Sequence, residues 1–259
     1  MAVELPASVV GEGRPMVILH GLLGAGRNWD SLAKRFAQKG VQAHVLDLRN
    51  HGSAPWAEPF DYPAMAEDVA AYIAKAGLDR PVLLGHSMGG KAAMMLALTQ
   101  PERQSGVIIA DIAPVAYSHD LRAYGEAMRA ADLSAVQRRA QVDEQLQDAI
   151  AEAPIRAFLL QNLEPTEQGF RWRPNLDVII AHMADLTGWP ALDPALAFDG
   201  PALFIYGGAS DYVGEARHEA ILARFPNADF ASIDGAGHWL HAERPNEFIA
   251  KVQDWLSVR

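Results

Sequence analysis

The chain has 259 residues, half of them hydrophobic and 21% charged, with 32 acidic against 22 basic side chains and a formal net charge of −10. That length and apolar content suit one α/β domain, with or without an insertion, and exclude a disordered chain. The acidic balance argues against nucleic acid or an anionic membrane as a partner, and the lack of cysteine excludes disulfides and a thiolate nucleophile.

Met1 to Val10 carries Glu4, no basic residue and only short apolar runs, which does not read as a signal peptide. No apolar run is long enough to span a bilayer, so a soluble cytoplasmic protein is expected. Val3–Val10 reads as an edge strand closed by Gly11-Glu12-Gly13. Met16–Leu19 is a short apolar run, expected as a buried strand, and it ends in His20-Gly21-Leu22-Leu23-Gly24-Ala25-Gly26. The spacing in that loop is wrong for the G-x-G-x-x-G of a dinucleotide site, and Asp47-Leu48-Arg49-Asn50-His51-Gly52 breaks the ribose-binding pattern after the next strand. The better reading is an H-G-x-x-G loop whose Leu22 N–H donates to an oxyanion.

Trp29–Lys39 has helical apolar spacing, with Asn28 as its expected N-cap, and Val41–Leu46 reads as a strand. His51, in the polar loop Arg49–Pro55, reads as structural rather than catalytic. Tyr62–Ala76 is expected as a helix preceded by Asp61 and ended by Gly77. The strand Pro81–Leu84 then runs into Gly85-His86-Ser87-Met88-Gly89-Gly90-Lys91 and a helix to Thr99. G-x-S-x-G between a strand and a helix is a nucleophile elbow. The turn forces Ser87 into a strained conformation, and only glycine two residues before and two after leaves room for it. Ser87 is therefore the candidate nucleophile, with Met88 N–H as a second oxyanion donor.

Gly106–Ala110 is the next strand, ending in Asp111-Ile112-Ala113-Pro114. From Val115 to Ala197 no apolar strand run is evident. Helices are expected around Leu121–Ala131, Ala135–Ala151, Ile155–Leu163 and Leu176–Leu186, and the segment reads as an all-helical insertion. The strand–helix alternation resumes with Ala202–Tyr206, Glu215–Arg224, Phe230–Ile233 and Pro245–Leu256. Domain bounds of 1–114 and 198–259 for the core and 115–197 for a helical cap follow.

Asp234-Gly235-Ala236-Gly237-His238-Trp239 follows the last strand and places His238 as general base for Ser87. His241 reads as a polar residue at a helix start, and His238-x-x-His241 has too few companions for a metal site. Two carboxylates are candidates for the third member of a triad. Asp211 follows the strand Ala202–Tyr206 and gives the order Ser…Asp…His, and Asp111 stands at the tip of the strand before the insertion.

Together, His20-Gly21-Leu22-Leu23-Gly24, Arg49-Asn50-His51-Gly52-Ser53, Gly85-His86-Ser87-Met88-Gly89-Gly90-Lys91, Asp111-Ile112-Ala113-Pro114-Val115 and Gly235-Ala236-Gly237-His238-Trp239 resemble the α/β-hydrolase superfamily. More narrowly they are similar to the YbfF-type acyl esterases and their ABHD11-like relatives. The resemblance covers nearly the whole chain and is weakest between Val115 and Ala197. It implies an α/β-hydrolase fold, a mostly parallel central sheet flanked by helices, with an all-helical cap inserted after the sixth strand. It also implies Ser87 as nucleophile, His238 as base, and Leu22 with Met88 as oxyanion donors. In that subgroup the aspartate before the cap often serves as the acid, which favours Asp111; this sequence departs by having Asp211 as well.

The expected activity is hydrolysis of a small-molecule ester or thioester through an acyl-enzyme, with no cofactor. A serine at position 87 argues against haloalkane dehalogenase and epoxide hydrolase chemistry, both of which need a carboxylate there. A C–C bond hydrolase or a cofactor-free perhydrolase shares the same residues. A small-molecule receptor on a hydrolase scaffold is the non-enzymatic alternative. Oligomeric state is not legible.

Overall fold

A computed structural model describes residues 1–118, 121–167 and 169–259 of the chain. In chain order its elements are β1 (Ala7–Val10), β2 (Arg14–Leu19), α1 (Asp30–Ala37), β3 (Val41–Leu46), α2 (Tyr62–Lys75), β4 (Val82–His86), α3 (Met88–Thr99) and β5 (Gly106–Ala110). There follow α4 (Arg122–Ala130), α5 (Arg139–Leu146), α6 (Ala153–Leu159), β6 (Leu163–Thr166), β7 (Gly169–Trp172), α7 (Leu176–Ala181) and α8 (Met183–Thr187). The chain closes with β8 (Ala202–Gly207), α9 (His218–Leu222), β9 (Ala228–Ile233), α10 (Leu240–Glu243) and α11 (Pro245–Ser257).

Seven strands form one sheet in the order β1-β3-β2-β4-β5-β8-β9, parallel except for β1, which runs antiparallel to β3 at the edge. The central strands are covered on both faces, which is why they read as continuous apolar runs rather than as alternating ones. Successive side chains divide between two cores. Val17, Leu19, Leu83, Val107 and Ile109 pack with α2 and α3 on one face. Met16, Ile18, Leu84 and Ile108 pack with Trp29, Phe36, Phe248 and Val252 on the other. Helix α3 is buried on every side from Met88 to Leu98, so it lacks the polar stripe of a surface helix.

From β2 the chain steps outward to β3 and then returns past β2 to β4. The loops after β2 and β4 therefore diverge at the carboxyl edge of the sheet, the crevice in which open α/β sheets place their sites. Ser87 follows β4, the His20–Gly24 loop follows β2, Asp111 follows β5 and His238 follows β9. The sequence-based placement of these four segments holds.

The segment between β5 and β8 departs from expectation in three ways. It is not all-helical, because β6 and β7 pair antiparallel with Leu163 opposite Trp172 and Thr166 opposite Gly169. Each strand has four residues, and Glu164, Pro165 and Arg171 leave too little apolar alternation to read. The helix expected over Ala135–Ala151 starts at Arg139, because Gln141 Oε1 accepts the N–H groups of Gln137 (2.9 Å) and Arg138 (3.0 Å) and fixes the N-terminus there. The helix expected over Leu176–Leu186 is divided at His182 into α7 and α8. The strand before this segment, counted as the sixth, is the fifth in this chain, because the residues ahead of Arg14 supply only β1.

Two smaller differences lie near the N-terminus. The first strand begins at Ala7 rather than Val3, because the Val3 N–H is engaged by Asp68 Oδ1 (2.7 Å) and Pro6 has no N–H to offer a ladder. Asn28 caps a short 3-10 turn over Gly26–Trp29 by accepting the Ala25 N–H (2.7 Å), and α1 starts only after it. Asp61, which precedes α2, caps it by accepting from Ala64 N–H at 2.8 Å.

Candidate active site

The turn from β4 into α3 carries the strain its sequence implies. Ser87 sits at φ 51°, ψ −116°, in a region L-residues rarely occupy, while its N–H donates to Ala110 O at 3.0 Å. The flanking glycines are required by close approach. A Cβ on Gly85 would lie 2.3 Å from Gly89 O, and one on Gly89 would lie 2.4 Å from Leu19 O and 2.6 Å from His20 O. The elbow is thus wedged against the end of β2, which brings Ser87 beside the His20–Gly24 loop.

That loop is held by two buried histidines. His20 Nε2 accepts the Leu48 N–H (3.0 Å) and its Nδ1–H donates to Gly21 O (2.8 Å). His51 Nε2 accepts the Leu23 N–H (3.0 Å) and its Nδ1–H donates to Arg49 O (3.0 Å). Each ring must be neutral to accept at Nε2, and burial keeps it so: His20 is pushed down, and His51 down to about 3. His51 is therefore structural, as its sequence context suggested, and its task is the shape of the loop. Asn162, from the inserted segment, donates to Leu23 O at 2.6 Å. The Gly24 N–H closes a turn on Gly21 O (3.0 Å), so the two amides that follow Leu22, those of Leu23 and Gly24, are committed. Leu22 N–H and Met88 N–H find no protein acceptor among the described residues.

Arg49 anchors the neighbouring loop. It is wholly buried and pairs bidentately with Asp68, Nε to Oδ2 at 2.6 Å and Nη2 to Oδ1 at 2.7 Å. Its Nη1 donates to Pro59 O at 2.5 Å.

Asp111 and His238 meet. The carboxylate, 0% exposed, accepts from His238 Nδ1 at 2.7 Å through Oδ2. It also accepts from the Gly207 N–H at 3.1 Å and from the Ser210 hydroxyl. A carboxylate accepts only, so the proton sits on Nδ1 and Nε2 is the acceptor of the neutral ring. Tyr212 stacks on the imidazole with centroids 3.9 Å apart, and the His238 carbonyl accepts from His86 Nε2–H at 2.9 Å. Burial holds His86 well below its ordinary range, consistent with a neutral donor. Asp211, the alternative acid, is exposed and does not reach His238; its neighbours do the touching instead, Ser210 on the Asp111 carboxylate and Tyr212 on the imidazole ring. Ser210, Tyr212 and His86 were missed from sequence because each acts through a contact made between distant strands.

Ser87 and His238 open into one cavity of about 240 Å³, walled by Leu22, Leu121, Tyr124, Ile155, Phe158 and Trp239. His241 also lines it, stacked on Trp29 at 4.4 Å and held down to about 3 by burial. Four of these wall residues come from the inserted segment.

A family model described as the alpha/beta hydrolase fold matches residues 14–245. The chain belongs to the α/β-hydrolase family. Among its α/β-hydrolase relatives is the mouse sn-1-specific diacylglycerol lipase ABHD11, 38% identical over 250 residues that cover 93% of this chain and 80% of that one. Escherichia coli esterase YbfF is 36% identical over 246 residues, covering 94% of this chain and 93% of that one. A solved structure of a marine microorganism esterase superposes with a TM-score of 0.93 at 36% identity, covering 98% of this chain and all of that one.

Proposed function

We propose that the protein is a serine carboxylesterase acting on short- to medium-chain acyl esters or thioesters through an acyl-enzyme. The observation that carries this reading is that the strained Ser87 and the His238–Asp111 couple open into one largely apolar cavity. The relatives named esterase and lipase support the reaction class.

In the proposed reaction Ser87 Oγ attacks the acyl carbonyl while His238 Nε2 takes its proton. The Leu22 and Met88 amides hold the oxyanion, and each such donor is worth roughly 3 kcal/mol of barrier. His238 then returns the proton to the departing alcohol or thiol. It next activates water to release the acid and restore Ser87. Asp111 fixes the tautomer and stabilises the imidazolium formed in both halves. Residues 115–197 act as a cap whose apolar side chains line the acyl cavity.

The test is hydrolysis of p-nitrophenyl esters of increasing acyl length by the wild type and Ser87→Ala. Turnover by the wild type that disappears in Ser87→Ala supports the reading. A folded wild type inert toward every ester and thioester tried overturns it.

A further inference from the structure

Ser87 stands between two cavities of unequal size. The larger, of about 240 Å³, is described above; the second, of about 20 Å³, is bounded by Leu22, Ser87, Met88, Lys91, Tyr117 and Thr187. One water-sized group takes roughly 10–15 Å³ of such space, so the small cavity admits one or two while the large one admits a chain.

The far wall of the small cavity is a junction between core and insertion. Lys91, one helical turn beyond Ser87 on α3, is 1% exposed. Its ammonium donates to Thr187 O at 3.0 Å and to Gly188 O at 2.5 Å, at the C-terminal end of α8. Tyr62 of α2, equally buried, donates its hydroxyl to Leu186 O. The Tyr117 N–H reaches Thr187 O at 3.0 Å. Three successive carbonyls that a helix end leaves without partners are thus satisfied from outside α8. The ammonium also lies 5.4 Å from the centre of the Tyr62 ring and 5.0 Å from that of Tyr117. Among the described residues it has no carboxylate partner. Burial without a counter-charge pushes Lys91 down to about 7, a desolvation cost that a methionine of similar length filling the same space would not bear. The lysine contributes something else here: two hydrogen bonds from its amine that fix where α8 ends.

We propose that Lys91 is a specificity-determining residue: by clasping the end of α8 it holds the wall of the small cavity and restricts the group beside the oxyanion loop to one or two heavy atoms. This rests on the hydrolase reading given above. The protein then takes unsymmetrical esters, with one long apolar side in the large cavity and one compact side, acetyl or ethyl, in the small one. Esters long on both sides are disfavoured.

The experiment compares wild type, Lys91→Met and Tyr62→Phe by two readouts. The first is hydrogen exchange of the backbone around residues 183–189. Cutting the clasp should speed it by about tenfold or more, while α3 stays as protected as in the wild type. The second is the ratio of kcat/KM for ethyl octanoate over hexyl octanoate. It should be on the order of a hundred in the wild type and fall by about tenfold in Lys91→Met. Tyr62→Phe should move both readouts the same way by less, and it keeps the test decisive if Lys91→Met does not fold. Unchanged exchange in the variants overturns the proposal. So does an active wild type that accepts both esters alike, or a ratio that Lys91→Met leaves unmoved, and either result leaves the hydrolase reading intact. A wild type inert toward every ester overturns the hydrolase reading together with the size selection, and exchange alone then decides whether Lys91 clasps α8.

Discussion

Replacing Asp111 by asparagine removes one charge and little volume, so it isolates the electrostatic part of the proposed triad. The carboxylate sits 2.7 Å from His238 Nδ1, fully buried, and accepts two further hydrogen bonds that an asparagine oxygen can retain in part. In the proposed acylation step His238 becomes an imidazolium beside that carboxylate. Unit charges about 4 Å apart at an effective dielectric of about 20 attract by about 4 kcal/mol. At 1.36 kcal/mol per decade this is about a thousandfold in rate, and a wrongly oriented tautomer adds to the loss. The assay is kcat on a short p-nitrophenyl ester, with thermal melts to show that the variant folds. Asp111→Asn is expected to lose three to four decades, on the order of the tautomer and charge effects combined. Asp211→Asn, at an exposed position, is expected to stay within about twofold. A larger loss in Asp211→Asn than in Asp111→Asn would refute this reasoning.

Other consequences concern stability. Gly89→Ala places a Cβ 2.4 Å from Leu19 O, against backbone that cannot yield, so a loss of about 3 kcal/mol in urea unfolding is expected. Asp68→Ala leaves the buried Arg49 guanidinium unpaired and should cost about 3–5 kcal/mol in the same assay. His51 and His241 are held at about 3, below the ordinary 6.5, so the unfolded chain binds protons below 6.5 that the native state refuses. Stability is therefore complete above that pH and falls as the solution is acidified toward about 3, by about 2 kcal/mol per histidine at pH ~5. His241→Phe should remove one such increment from the difference between urea melts at neutral pH and at pH ~5; an unchanged difference would contradict the assignment.

The parts of the site that were legible in sequence are those with a local backbone demand. Gly85 and Gly89 flank Ser87 because no other residue fits between β4, β2 and α3. The His20–Gly24 loop and the His238 loop likewise show their glycines and their place after an apolar run. The choice between Asp111 and Asp211 was not local. Both follow strands at the carboxyl edge, and only the pairing of β5 with β8 shows Ser210 reaching into the Asp111 carboxylate while Asp211 faces out. The β6–β7 hairpin escaped because Pro165, Glu164 and Arg171 interrupt its alternation and its strands are as short as turns. Lys91 was visible as part of the elbow motif, but its contacts with Thr187 and Gly188 bridge ends of the chain that no spacing connects.

The central claim is that Ser87 is the nucleophile, activated by His238. Its most direct test is the intact mass and peptide map of the protein after brief exposure to a fluorophosphonate. The account predicts one adduct, on Ser87, formed quickly by the wild type, slowly by His238→Ala and not at all by Ser87→Ala. An adduct on another residue, or ester turnover that survives in Ser87→Ala, would contradict it.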